Sequence, residues 1–253
     1  MQEIKPIPSA FNSLKDQPKK LYFQGNTALL TMPKVSIVGT RHPISYTKQM
    51  CQKLAHALSK RGVCVVSGAA MGVDALAHRS AFPNTIAVMA NSLDIVYPKV
   101  NMALIQDMAQ KSLVLSEYER HTKATRYSFV LRNRLVVALG DVLVVAEADL
   151  NSGSMRSVEI AQKLGKKIYV FPHRLHESLG TNSLLEKHEA TAIYDIDAFA
   201  DQFGRVEENI DALTKFCQTH DDLDDFLEEF GTEIYDFELQ GRIEISNMKV
   251  VLK

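Results

Sequence analysis

The sequence contains no apolar run long enough to cross a membrane. Its longest apolar stretch, Leu135 to Gly140 followed by Val142 to Ala146, is interrupted by Asp141 and falls well short of the roughly 20 residues a spanning helix needs. The amino terminus, Met1-Gln2-Glu3-Ile4-Lys5-Pro6, lacks both a charged leader followed by an apolar block and a small-residue cleavage site, so a cytoplasmic location is expected. Cysteine is scarce. Cys51, Cys64 and Cys217 are odd in number, far apart and without a C-x-x-C pair, which argues against a disulfide framework or a thiolate metal site and for small buried apolar residues. Disorder as the main state is excluded by a 46% hydrophobic and 23% charged composition over 253 residues. That length suits one large domain and an appendage.

Nor is there an excess of one charge, since the formal net charge is −1. The balance hides an asymmetry. Residues 1–204 hold 24 Lys and Arg against 17 Asp and Glu, a net of +7, whereas residues 205–253 hold 5 against 13, a net of −8. The larger part is compatible with a polyanion. The tail would be repelled by phosphate and is better suited to a protein partner or a covering role.

From Lys34 onward, short β-branched runs alternate with longer amphipathic segments, the pattern of a parallel sheet flanked by helices. Strands are predicted over 35–38, 63–66, 85–89, 113–115, 142–145 and 168–171, mostly apolar on both faces as buried parallel strands are. Helices are predicted over 45–60, 73–81, 102–110, 129–139 and 154–164. The fold class is thus α/β, an extended Rossmann-like sheet with helices on both faces. Residues 1–33 carry Pro6, Pro8, Pro18 and Pro33 and are expected to form an arm or lid. Within them Leu21-Tyr22-Phe23-Gln24-Gly25 is similar to an engineered protease site, but Lys19 and the flanking residues read as native. After Gly204 the acidic tail reads as helices over 210–219, 223–230 and 234–239 and a hairpin around Gly241 to Leu252. Three helices and a hairpin resemble a winged helix.

Three loops follow strands where an open parallel sheet places its ligand crevice. They are Gly39-Thr40-Arg41, Ser67-Gly68-Ala69-Ala70-Met71-Gly72, and Asn151-Ser152-Gly153-Ser154. Small residues opening a helix let backbone N–H groups and the helix dipole face an anion. A fourth feature is the window from Arg120 to Arg134, which holds Arg120, Lys123, Arg126, Arg132 and Arg134, interleaves Tyr127 and Phe129, and has no acid. Cationic grooves with aromatic platforms hold single-stranded nucleic acid. On one helix Arg132 and Arg134 point different ways, so one is expected to be structural, paired with Glu147 or Asp149, and the other to face the crevice. His173-x-x-His176 lacks the partners of a zinc site, and Ser67 and Ser154 have no evident base. Neither a catalytic residue nor a metal or cofactor is assigned.

Taken in order, G-T-R at 39–41, S-G-x-A-x-G-x-D at 67–74, Y-P at 97–98, S-E-Y at 116–118, F-x-x-R-N-R at 129–134 and S-G-S at 152–154 resemble the DNA-processing protein A (DprA/Smf) family over about 34–194, and more weakly into the tail. The resemblance implies a dimerising Rossmann-like domain that binds single-stranded DNA in a basic pocket, protects incoming DNA and helps load the RecA recombinase in natural transformation, without catalysis. It makes Arg41 the principal DNA-binding arginine, adds Arg126, Phe129, Arg132 and Asn133, and seats phosphates on Ser67, Gly68, Ser152, Gly153 and Ser154, with Gly39, Thr40 and Gly72 shaping the phosphate loops. The chain departs from the family pattern at His173, where glycine is usual, and at His188-Glu189-Ala190, where Gly-Ala is common.

Two other functions use similar loops. A nucleoside-monophosphate phosphoribohydrolase of the lysine-decarboxylase-like fold needs a glutamate three residues after a G-G-x-G-T threonine, and Ser157 stands there instead. Glu159, two positions on, is about 200° around the helix and would point away. A nucleotide sensor would bind a mononucleotide that excludes DNA.

Overall fold

The computed structural model describes residues 2–206, 212–217 and 219–252. They belong to two compact units, 1–206 and 207–253.

In the first unit the strands, in chain order, are β1 (Gln2–Glu3), β2 (Tyr22–Gly25), β3 (Lys34–Val38), β4 (Cys64–Ser67), β5 (Thr85–Val88), β6 (Leu113–Ser116), β7 (Val142–Val145), β8 (Ile168–Val170) and β9 (Thr191–Ala192). The helices are α1 (Ser45–Lys60), α2 (Val73–Ala81), α3 (Met102–Lys111), α4 (Arg126–Leu139), α5 (Gly153–Lys163), α6 (Leu179–Glu186) and α7 (Ile196–Ala200). The strands form one nine-stranded sheet in the order β1-β2-β6-β5-β4-β3-β7-β8-β9. From β3 to β9 all pairings are parallel. The order runs outward from β3 in both directions, so the loops after β3 and β7 leave the sheet toward opposite sides. A crevice opens between them at that switch point.

Strand periodicity divides the interior into two layers. Val35, Val65, Val142, Val144 and Tyr169 pack in the layer with Cys51, Leu54 and Leu58 of α1. Val38, Val66, Leu143, Val145 and Val170 pack in the other, with Leu135 and Leu139 of α4 and Val158 of α5. Both faces are covered, as the near-continuous apolar strands require. Cys51 and Cys64 are fully buried, and burial pushes both thiols up to about 12. They act as apolar filler.

Residues 1–33 are neither an arm nor a lid. β2 pairs antiparallel with β6, and β1 with β2, while Phe11, Leu14, Leu21 and Leu29 join the hydrophobic core. This segment covers the edge of β6, which would otherwise present unpaired backbone groups. The Leu21 to Gly25 stretch is therefore integral to the sheet. His188 takes φ +56°, a left-handed conformation that glycine adopts without a steric penalty.

The second unit contains α8 (Ala212–Cys217), α9 (Leu223–Phe230), α10 (Glu233–Leu239), β10 (Ile243–Ser246) and β11 (Lys249–Leu252). Leu213, Leu223, Phe226, Ile234, Ile243 and Val250 form its core. Asn247 and Met248 join β10 to β11 with φ of +51° and +60°, values that suit a two-residue hairpin turn. Of the helix predicted over 210–219, residues 210, 211 and 218 lie outside the described residues.

Candidate nucleic-acid interface

The crevice at the switch point has a volume of about 450 Å³ and is lined from three directions, by the loop after β3, the first turns of α4 and the first turn of α5. Gly39, Thr40, Arg41, Arg126, Phe129, Arg132, Asn133, Ser152, Gly153 and Ser154 all line it.

The first loop is clamped at its backbone. The Thr40 N–H donates to the Glu147 carbonyl at 2.9 Å, and the Thr40 carbonyl accepts from the Val73 N–H at 3.1 Å. The Glu147 carboxylate takes the Ile44 N–H at 3.0 Å. Thr40 thus shapes the loop, and its N–H is already committed within the protein. At Gly39 any Cβ would lie 2.6 Å from Val73 Cγ2, so only glycine lets this strand end approach α2. The Arg41 side chain is exposed and lines the crevice.

The second loop is not an anion seat. The Asp74 carboxylate already occupies that position and accepts from the N–H groups of Gly68 at 3.2 Å and Ala70 at 3.3 Å. The Ala69 N–H donates to His78 Nε2 at 3.2 Å, and Asn101 Nδ2 donates to the Ala69 and Ala70 carbonyls. Ser67 is fully buried, with its hydroxyl donating to the Ile37 carbonyl at 2.6 Å. Ser67 and Gly68 are therefore removed from the set of expected phosphate contacts. Gly72, at φ +77°, lets the loop pass against the Thr40 and Arg41 backbone, and a Cβ on Gly68 would strike the Arg132 guanidinium. The sequence pattern of a small-residue loop before a helix is the same whether the anion comes from outside or from the helix's own first turn.

Helix α4 begins at Arg126, three residues before the predicted start, because Thr125 and Ser128 form a reciprocal capping box. Phe129, Arg132 and Asn133 then fall at i, i+3 and i+4 on one face. Arg126 is exposed, Phe129 half-buried and Arg132 only 4% exposed. Arg132 donates to the Gly68 and Val88 carbonyls and stands beside Asp74 on the crevice floor. Burial pushes the Asp74 carboxyl up, against the opposing effect of the Arg132 charge, and pulls the Arg132 guanidinium down. Arg132 is chiefly a brace between α4, β5 and the second loop, and its expected role in gripping the strand is reduced accordingly. Arg134 is the other structural arginine. Its partner is Glu117, bound through two hydrogen bonds of 2.9 and 2.6 Å, rather than Glu147 or Asp149. Glu117 was not recognisable from spacing along a helix, because the pair joins the end of β6 to α4.

Helix α5 presents its amino terminus to the crevice. Ser152 caps it by accepting from the Met155 N–H at 3.4 Å, and the N–H groups of the first turn have no acceptor within the helix. Their dipole favours negative charge. Ser157, one turn further on, lines the crevice with its hydroxyl buried and without a hydrogen-bond partner. Glu159 pairs instead with Arg156 at 3.0 Å on the exposed side. Sequence reasoning missed Asp74 as the floor of the site. The signal available was its position in the first turn of α2.

The described residues contain no cluster of three or more His, Cys, Asp or Glu able to hold a metal ion. His173 Nε2 lies 3.0 Å from the Thr47 hydroxyl.

Residues 2–204 match the sequence profile of the family named DNA recombination-mediator protein A. The chain belongs to that family. It is 32% identical over 177 residues to DNA processing protein DprA of Bacillus subtilis, covering 68% of this chain and 60% of the relative. It is 34% identical over 185 residues to DprA of Streptococcus pneumoniae, covering 71% and 65%. The chain thus spans 60 to 65% of the length of these two DprA relatives. Among solved structures, DNA processing protein A from Helicobacter pylori superposes with a TM-score of 0.78 at 50% identity, covering 79% of this chain and 94% of that one. That structure concerns the single-stranded DNA binding mode of the Helicobacter protein. The Streptococcus pneumoniae DprA structure gives a TM-score of 0.73 at 31% identity, covering 79% and 71%.

Proposed function

We propose that this chain is a single-stranded DNA-binding recombination mediator that protects incoming DNA and helps load the RecA recombinase in natural transformation. The observation that carries the reading is the crevice, where two exposed arginines, Arg41 and Arg126, an aromatic ring, Phe129, and the amino terminus of α5 converge. Arginines and helix N–H groups hold phosphates in position whatever the sequence, and an aromatic ring stacks on any base. The chemistry is binding rather than turnover. Ser157 stands in the crevice where a phosphoribohydrolase would need its glutamate, and Glu159 pairs with Arg156 on the exposed side.

In this reading residues 34–204 hold the strand in the cytoplasm, and a homodimer holds two segments at once, raising apparent affinity through effective concentration. Residues 205–253, with a net charge of −8, act as a winged-helix-like appendix that meets a protein rather than a duplex groove. The test is anisotropy titration of an oligothymidine and of its duplex at two salt concentrations, with wild type and an Arg41→Ala, Arg126→Ala double variant. Tight, salt-sensitive, single-strand-preferring binding that collapses in the variant is expected. Saturable binding of a mononucleotide that excludes DNA would replace this reading with a nucleotide sensor.

A further inference from the structure

The second unit carries an apolar ridge set among carboxylates. Tyr235 and Leu239 stand one turn apart on α10, on the same face, and are 45% and 86% exposed. Around the helix, Asp236 borders this pair on one side and Glu238 on the other, and Glu233, in the first turn, is exposed as well. Single surface leucines need no explanation. A tyrosine and a leucine that run along one helix between acids form a surface with both a shape and a sign.

The sign argues against a duplex. Helices α9 and α10 are separated only by Gly231 and Thr232, and the second helix of such a pair is the one that enters the major groove in DNA readers. Here it holds Glu233, Asp236 and Glu238 and neither Lys nor Arg, so phosphate would repel it. An added strand fits no better, because the hairpin offers little open edge. β11 pairs with β10 on one side. On its other side the Leu223 N–H donates to the Met248 carbonyl at 2.9 Å and the Val250 N–H to the Asp221 carbonyl at 2.8 Å. On β10 the Ile245 N–H donates to the Glu238 carboxylate at 2.9 Å. The arrangement suits a second helix. A ridge of side chains packs between the rows of another helix, and acids along its flanks pair with Lys and Arg on the flanks of that helix.

We propose that the Tyr235 and Leu239 face of α10 docks a cationic amphipathic helix of a protein partner. The inference rests on the reading of residues 205–253 as an appendix that meets a protein, and it names the face used and the chemistry of what is met. The apolar pair supplies the grip and the carboxylates supply the selection. The net charge of −8 on residues 205–253 draws such a partner in, and the attraction weakens as salt rises.

The experiment is anisotropy titration of the full chain against a fluorescent model peptide with leucines on one helical face and lysines on both flanks. The same residues in scrambled order, with equal charge and no apolar face, are the control. The ordered peptide is expected to bind about tenfold more tightly than the scrambled one. Leu239→Ser and Tyr235→Ala, both at exposed positions, should each remove most of that gap. Asp236→Asn with Glu233→Gln should weaken the ordered peptide severalfold, whereas removing the same charge at the start of α9, in Asp224→Asn with Asp225→Asn, should change it little. Equal binding of the two peptides by wild type would overturn the proposal, as would equal losses from the two charge-removing pairs or a gap that survives Leu239→Ser. Those results would leave the appendix to meet a protein through another face. A labelled duplex bound by wild type and released by Leu239→Ser would instead overturn the reading on which the proposal rests.

Discussion

The guanidinium of Arg41 lies over the ring of Phe129, 5.7 Å from its centroid. A cation held on an aromatic face is preorganised, and here it joins a loop after β3 to the first turn of α4. Both side chains line the crevice, and in the proposed function the cation grips phosphate while the ring offers a surface to a base.

Arg41→Ala should weaken binding of oligonucleotides of any sequence by about tenfold and flatten the dependence of log K on log salt by about 0.7 for each phosphate that is no longer neutralised. Phe129→Ala should cost about 1–3 kcal/mol of binding and leave the salt slope unchanged. Titrations between roughly 50 and 200 mM salt separate the two effects.

Arg126 and Arg134 should behave oppositely. Arg126 is exposed at the start of α4, so Arg126→Ala should lower DNA affinity and leave the urea midpoint where it is. Arg134 is bound through two hydrogen bonds to Glu117, with the two side chains 15% and 14% exposed. Arg134→Ala strands a nearly buried carboxylate and should lower stability by about 2–4 kcal/mol, with DNA affinity retained at temperatures where the variant is folded. Denaturation and anisotropy on the same two proteins check this.

His78 gives the fold an acid sensitivity. It is fully buried, and burial, aided by the Arg132 charge, lowers its pKa from 6.5 to about 3. Its Nε2 must stay unprotonated to accept from Ala69. Below pH 6.5 the unfolded chain binds a proton that the folded chain refuses, so this contribution to stability is full above pH 6.5 and declines as pH falls toward about 3. Asp74, whose carboxyl burial raises, works in the opposite sense. The difference in acid dependence between wild type and His78→Gln, read from urea midpoints at several pH values, isolates the histidine.

Gly68→Ala should be among the most damaging single substitutions, because the new Cβ meets the Arg132 guanidinium, which has no room to retreat from its buried carbonyl partners. Gly72→Ala should displace the Thr40 and Arg41 backbone and require a left-handed alanine. Both are expected to lower the melting temperature by several degrees. Gly153→Ala, which meets nothing within 4 Å, should leave it nearly unchanged.

What the sequence determined by itself is what short-range physics controls. β-Branched runs bounded by small residues placed the six central parallel strands within about a residue, and amphipathic spacing placed α1, α2 and α9 at their observed ends. The loops after β3 and β7 were legible as the two sides of a crevice because strand ends and helix starts are local features, and Arg41, Arg126, Phe129 and the Ser152 to Ser154 turn do line it together. Tertiary structure decided everything that depends on which distant group arrives. Proline hid the first 33 residues, whose place is set by the open edge of β6 rather than by their own periodicity. A loop rich in small residues offers N–H groups to any acceptor, and only packing reveals that the nearby Asp74 has already taken them. Arg132 and Arg134 are two residues apart on one helix, yet one braces a loop and the other pairs with an acid just past β6.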